Sequence, residues 1–324
     1  MIVSKTPYRI SFIGGGSDYP SWYLKYGGET ISTSINQYVY ITIRELLPFF
    51  KHNTRVVYSK VEEVTNINKI NHPSIKGLLK KHKLNNVEIH YDGDLPARSG
   101  MGSSSSFTVG LNNLLNYYKK NKITKEQLMY DTINFEQKIL KENVGSQDQA
   151  IATYGGFKNI EYHTNGKITV SNIKIAKSKL DTFENNLFLV YTNITRYADK
   201  IASHYINKLS DKKNIIDKNL KLLKQFKTIL KTNNEIDLLG EILNESWMLK
   251  KDISSVISNS KINELYNFGL KSGANGGKLL GAGGGGFILF YVPKKNHQLF
   301  KKNIKKNLIV PFKFEKNGTT ILKI

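Results

Sequence analysis

From Ile2 to Ile13, β-branched and aromatic residues alternate with polar ones, and the run stops in Gly14-Gly15-Gly16-Ser17-Asp18. A period of two that ends in glycines predicts a strand running into a loop. Thr30–Glu45, Thr54–Val61 and Asn86–Tyr91 have the same composition and predict three further strands. The period changes after Ser103, where Phe107, Leu111, Leu114, Leu115 and Tyr118 recur at helical spacing, and a second helix is predicted over Lys125–Lys141. Phe157–Tyr162 and Lys167–Ile175 flank Asn165-Gly166 and predict a hairpin. The second half opens with a strand, Leu187–Thr192, and is helical to about Leu249, with apolar stripes in Ile201–Leu209 and Leu220–Leu230 that suit a core. A helix near Ile262–Ser272 then leads through a glycine-rich turn into the strand Phe287–Val292. Helices and strands do not alternate regularly, so the expected class is α+β in two lobes and not a βαβ array. No proline-rich linker separates the lobes, and the boundary is set at residues 1–183 and 184–324.

Composition narrows the functional classes. At 324 residues the chain can bury two cores and keep a cleft between them. A hydrophobic fraction of 40% excludes a disordered chain, and the lack of any apolar run near 18 residues excludes a membrane helix. Met1 to Gly16 carries Arg9 within its apolar stretch and has no small-residue cleavage site, so it does not read as a secretory signal. Without cysteine there are no disulfides and no thiolate metal sites, which agrees with a cytoplasmic protein. The net charge of +22 first suggests nucleic acid or an anionic membrane. The lysines are nevertheless spread along the whole chain among Asn and Ile, as on solvated faces, and neither partner is expected. Attraction of small phosphorylated ligands is the second reading of the charge. Arginine occurs only at 9, 44, 55, 98 and 196, so each marks a place where a planar, bidentate fork is needed. The seven histidines show no metal-ligand spacing and no Ser/His/Asp grouping.

The segment Leu95-Pro96-Ala97-Arg98-Ser99-Gly100-Met101-Gly102-Ser103-Ser104-Ser105-Ser106 follows a strand and opens a helix. Small residues let the backbone approach a ligand, and the free amides of a helix start carry partial positive charge, so this loop suits a phosphate. A second cluster, Gly281-Ala282-Gly283-Gly284-Gly285-Gly286, contains G-x-G-x-x-G in the wrong order, because a helix precedes it and a strand follows. Gly277-Lys278 likewise fails as a Walker loop, since Ser272 stands at the first glycine position and Leu279 follows the lysine.

Three separated motifs together resemble the GHMP kinases, the superfamily of galactokinase, homoserine kinase, mevalonate kinase and phosphomevalonate kinase. They are Pro7-Tyr8-Arg9 through Gly14-Gly15-Gly16-Ser17-Asp18-Tyr19, then Pro96 to Ser106, then Lys278 to Gly286, and they span nearly the whole chain. Within the superfamily, Arg98-Ser99-Gly100-Met101-Gly102-Ser103-Ser104-Ser105-Ser106 and Gly14-Gly15-Gly16-Ser17-Asp18-Tyr19-Pro20 look most like D-glycero-D-manno-heptose 7-phosphate kinases. The resemblance implies a ribosomal protein S5 domain 2-like N-terminal lobe, a ferredoxin-like C-terminal lobe, ATP and Mg2+ as cofactors, and a phosphorylated sugar as acceptor.

Carried to this chain, the resemblance makes Gly100, Met101, Gly102, Ser103, Ser104, Ser105 and Ser106 the cradle for the ATP phosphates. Ser104, with Ser103 as the alternative, and Glu136 become the magnesium ligands. Asp148 becomes the catalytic carboxylate that takes the acceptor's proton, with Arg9 as its guanidinium partner lowering the barrier electrostatically. Ser17, Asp18, Gly283 and Gly284 fall at the acceptor. Galactokinases have Glu-His-Thr-Asp where this chain has Gly15-Gly16-Ser17-Asp18, which removes two polar contacts to a hexose and leaves room for a larger or differently placed sugar. An acceptor that already carries a phosphate needs a distal cation. Arg196 is the first candidate, Arg98 and Lys5 are weaker ones, and the role of Lys278 stays open.

Overall fold

The computed structural model describes residues 1–194, 212–232 and 235–323. Its first sheet has nine strands. The long strands β1 (Ile2–Ile13) and β2 (Gly28–Glu45) form its spine, and β3 (Thr54–Val57), β4 (Val61–Val64) and β5 (Val87–Gly93) continue it on one side. The second sheet is β11-β8-β10-β9, from β8 (Leu187–Tyr191), β9 (Gly276–Leu279), β10 (Phe287–Tyr291) and β11 (Ile309–Val310), all antiparallel.

The two ends of β2 serve different neighbours. Gly28–Thr33 pairs with β6 (Phe157–Tyr162), which forms the expected hairpin with β7 (Ile168–Asn172), whereas Val39–Glu45 pairs with β5. Along β1 the register to β2 shifts between Pro7 and Arg9 and again between Ser11 and Ile13. Such irregularities bend a strand and re-aim its side chains. They bracket Arg9 and Ser11, which line the cavity described below.

The expected strand over Thr54–Val61 is instead two strands, β3 and β4, joined by a tight turn in which Tyr58 N–H bonds Lys60 C=O. The helix expected over Lys125–Lys141 runs regularly only from Lys125 to Asn134, after a Thr124–Gln127 capping box, and becomes a wider π-turn over Phe135–Ile139. The expected 183/184 boundary falls inside helix Lys177–Asn185, and the strands on either side of that helix belong to different sheets except near the carboxyl end. There β12 (Phe314–Glu315) pairs with β2 and β13 (Thr320–Lys323) pairs with β1. The stripe expected over Ile201–Leu209 lies outside the described residues.

Helices Ser103–Tyr118 and Gln147–Tyr154 pack on β1 and β2, and Lys213–Lys231 lies against the same two strands from the second lobe. One apolar core therefore spans both lobes. Phe12 of β1 lies 5.2 Å from Phe183 and 6.1 Å from Phe226, ring centroid to centroid, and all three are fully buried. Burying side chains of this size contributes about 1.5–3 kcal/mol each, enough to hold the lobes together without covalent links. No helix among the described residues is long and apolar enough to cross a membrane.

Candidate active site

Between the lobes lies a cavity of about 560 Å³. Arg9 enters it from the middle of β1, between Tyr8 and Ile10, both fully buried. Its Nε and Nη2 donate to the two carboxylate oxygens of Asp148, each at 2.7 Å, and Nη1 donates to the carbonyl of Gly100 at 2.6 Å. Arg9 is only 5% exposed, so the pair works in a low-dielectric setting where charge-assisted bonds are strong. Asp148 is the second residue of helix Gln147–Tyr154, where the free amides of the first turn favour an anion. The adjacent Gln147 accepts a hydrogen bond from Ser11 Oγ at 2.9 Å, which ties the same helix start to β1 a second time.

The phosphate loop meets this pair. Helix Ser103–Tyr118 begins without a side-chain cap, and Gly102, Ser103, Ser104 and Ser105 line the cavity. Ser104 is the exposed member. The other expected cradle residues are used differently. Met101 is fully buried in the core, and its carbonyl accepts from Arg9 N–H. Ser106 Oγ donates to Pro7 C=O at 2.9 Å, and Ser105 Oγ donates to Glu136 at 2.8 Å, so neither hydroxyl is aimed at a ligand.

Glu136 lies in the π-turn on the buried face that Met129, Thr132 and Ile133 begin, four residues after Thr132 and three after Ile133. One of its oxygens accepts from Ser105 and Gln149, while Oε1 is buried with no partner. Burial pushes its pKa up to about 7, and Glu142 adds a smaller push in the same direction. An orphaned buried carboxylate oxygen behind a serine-rich helix start fits a hard cation such as magnesium, which prefers few protein oxygens beside phosphate and water.

Asp18, expected at the acceptor, is buried and lines the cavity, with Oδ1 accepting from Gly16 N–H at 3.0 Å. Burial first, and then the negative charge of Asp148, raise its pKa to about 6. Ser17 does not reach the cavity. Its hydroxyl donates to Gly14 C=O at 2.8 Å and accepts from Glu29 N–H, closing the turn. Gly283 and Gly284 are also displaced from their expected place, since they pack on Ile257, and Gly281 and Ala282 face the cavity instead. At Gly286 an added Cβ would lie 2.0 Å from the carbonyl of Ser99. The glycine-rich turn thereby presses directly on the phosphate loop of the other lobe.

Arg98 lines the cavity, Lys5 lies over the Tyr38 ring 3.9 Å from its centroid, and Arg196 lies outside the described residues. Sequence reasoning missed Asn219, Ser246 and Lys250, which bring the second lobe's helices to the cavity wall. The i, i+4 spacing of Ser246 and Lys250 on one helix face was the available signal.

Two family models match the chain. The GHMP kinases N-terminal domain covers residues 68–156 and the GHMP kinases C-terminal domain residues 221–308, together more than half the chain. The chain belongs to the GHMP kinases. It is a phosphotransferase with a hydroxyl acceptor. A D-glycero-alpha-D-manno-heptose 7-phosphate kinase of Campylobacter jejuni is 29% identical over 340 aligned residues, covering 100% of this chain and 99% of that protein. Among solved structures, a D-glycero-D-manno-heptose 1-phosphate kinase from Bacteroides thetaiotaomicron has a TM-score of 0.74 at 23% identity, covering 100% and 99% of the two chains. Streptococcus pneumoniae phosphomevalonate kinase, in complex with phosphomevalonate and AMPPNP, has a TM-score of 0.76 at 13% identity over 97% and 100%. In these two the fold is shared.

In this GHMP kinase Gly145 backs Asp18, the carboxylate expected at the acceptor, because a Cβ there would lie 1.9 Å from Asp18 Oδ2. Gly145→Ala is expected to raise the acceptor Michaelis constant at least tenfold while ATP binding stays within about twofold. Steady-state kinetics with each substrate varied checks this, and an unchanged acceptor constant refutes it. A second expectation concerns pH. Because the pKa of Asp18 in the folded protein is raised to about 6, it is neutral below that value and charged above it. The acceptor kcat/KM should fall as pH drops through about 6, and Asp18→Asn should abolish that limb of the profile.

Proposed function

We propose that this protein is an ATP- and magnesium-dependent sugar kinase that phosphorylates the anomeric hydroxyl of D-glycero-D-manno-heptose 7-phosphate, giving the 1,7-bisphosphate. The carrying observation is Asp148, clamped by Arg9 through two hydrogen bonds in the cavity that the phosphate loop also lines. The likeness to the Campylobacter jejuni heptose 7-phosphate kinase over essentially the full length of both proteins supports the choice of sugar. The side-chain-free Gly14-Gly15-Gly16 turn at the acceptor supports it too, since it leaves room beside Asp18. A cytoplasmic enzyme of this kind would supply GDP-heptose for a capsule or another surface glycan.

In this reading the ATP triphosphate lies along Gly100 to Ser104, where the backbone amides of the helix start meet its charge. Ser104 and Glu136 are the residues that would hold magnesium, which when bound offsets charge on the phosphates. Asp18 accepts hydrogen bonds from sugar hydroxyls and orients the ring. Asp148 takes the proton of the anomeric hydroxyl as that oxygen bonds to the γ-phosphorus. The bond from the γ-phosphorus to the bridging oxygen breaks and ADP leaves. Arg9 keeps the carboxylate oriented throughout, and with Asp148 positioned by a rigid strand little reorganisation is needed at the moment of transfer. A net charge of +22 favours approach of both anionic substrates.

ADP release with magnesium-ATP, measured against heptose 7-phosphate, sedoheptulose 7-phosphate, galactose, fucose and mevalonate, tests the reading. The heptose phosphate should turn over fastest, with phosphorus NMR showing a new anomeric phosphate; activity on galactose alone would overturn the choice of sugar. In the same assay Asp148→Asn should retain ATP binding and lose about 10²–10⁴ in turnover. Turnover at the wild-type rate would remove Asp148 from the chemistry.

A further inference from the structure

Lys278 sits in β9, paired in register with Leu289 of β10, in a strand whose four residues are all buried. It is 5% exposed, and its Nζ donates to the carbonyl of Phe12 in β1 at 2.8 Å. An ammonium of the second sheet is thus anchored on the first sheet, three residues along the strand from Arg9. The same side chain lines the cavity with Arg9, Asp18 and Asp148. Among the described residues no carboxylate lies within ion-pair distance of Nζ. Among the described residues the charge that acts on it is another cation, Arg9.

A buried amine without an anionic partner, beside a guanidinium, is an arrangement that folding alone does not favour. It becomes favourable when an anion enters. One N–H of the ammonium is taken by Phe12, and two remain for an incoming oxygen. We propose that Lys278 is a phosphate-contacting residue of the transfer centre, whose ammonium binds an oxygen of the transferring phosphoryl group while bracing one lobe against the other. This rests on the kinase reading given above.

Proton uptake follows from the same geometry. The charged groups that line the cavity with Lys278 are Arg9 from β1, Asp18 from the turn after it, Arg98 from the phosphate loop, Glu142, Asp148 from helix Gln147–Tyr154 and Lys250 from helix Leu238–Lys251. Burial first, and then Arg9, lower its pKa to about 7, so without ligand the amine is largely neutral above that pH. An entering phosphate favours the charged form, so nucleotide binding should draw a proton from solvent and weaken as pH rises beyond about 7.

The test is calorimetric titration of the full chain with magnesium-AMPPNP at pH 8 in two buffers of different ionisation enthalpy. Wild type should take up about one proton more than Lys278→Met or Lys278→Arg. Lys278→Met should bind at least tenfold more weakly, whereas Lys278→Arg should retain most of the affinity without the pH dependence. Thermal melts identify a variant that fails to fold, in which case the wild-type pH dependence of affinity between 6 and 9 decides. Equal uptake by all three proteins, or wild-type affinity that is flat with pH, would overturn the role of Lys278 and leave the kinase intact. Absence of any nucleotide binding by wild type would overturn both.

Discussion

The site depends on one buried guanidinium. Arg9 is held by a central strand, and its side chain reaches the start of one helix through Asp148 and the phosphate loop through Gly100, while its own amide bonds Met101. Three segments far apart in sequence are fixed relative to one another by a single residue. Removing one member of such a pair leaves an uncompensated buried charge, which costs about 3–5 kcal/mol, so orientation of the carboxylate and stability of the lobe are not separable here. Arg9 and Ser11, two residues apart in the regularly paired stretch between the two register shifts of β1, share the face that lines the cavity.

Around this pair the charges are arranged with alternating sign. Asp18 is raised by the proximity of Asp148, and Lys278 is lowered by the proximity of Arg9, each after the larger effect of burial. Both therefore lie within reach of neutral pH in opposite senses, the carboxylate ready to lose its proton and the amine ready to gain one. Ionisable groups with perturbed affinities gathered in one cleft are what a site for anion chemistry requires.

The motifs made much of this readable before any coordinates. Arg9 stood out because arginine is scarce in a lysine-rich chain, and Asp148 through the resemblance to the GHMP kinases; the structure joins the two. The direction of a serine was not readable. Ser17, Ser105 and Ser106 carry the right chemistry in the right segments, yet a hydroxyl's target depends on where its turn of helix or loop meets its neighbours. Glu136 falls at helical spacing from the buried Met129, Thr132 and Ile133, but a carboxylate on that face could not be told from a solvated one by sequence alone. Lys278 sits in a strand that its glycines disguise. Gly276 and Gly277 are unusual in a strand interior and record the close approach of Gly240 and Leu289 carbonyls, at 1.9 and 2.4 Å from an added Cβ.

The return of β13 to β1 has a consequence for how the molecule is assembled. The hydrogen bond between Thr6 and Thr319 spans 313 residues, and β1 keeps an open edge until that distant segment arrives. On a translating ribosome β1 could pair with β2 early, while its other edge at Ile2–Lys5 would wait for Thr320–Lys323. Closure of so long a loop is slow, and exposed edges invite pairing with other chains.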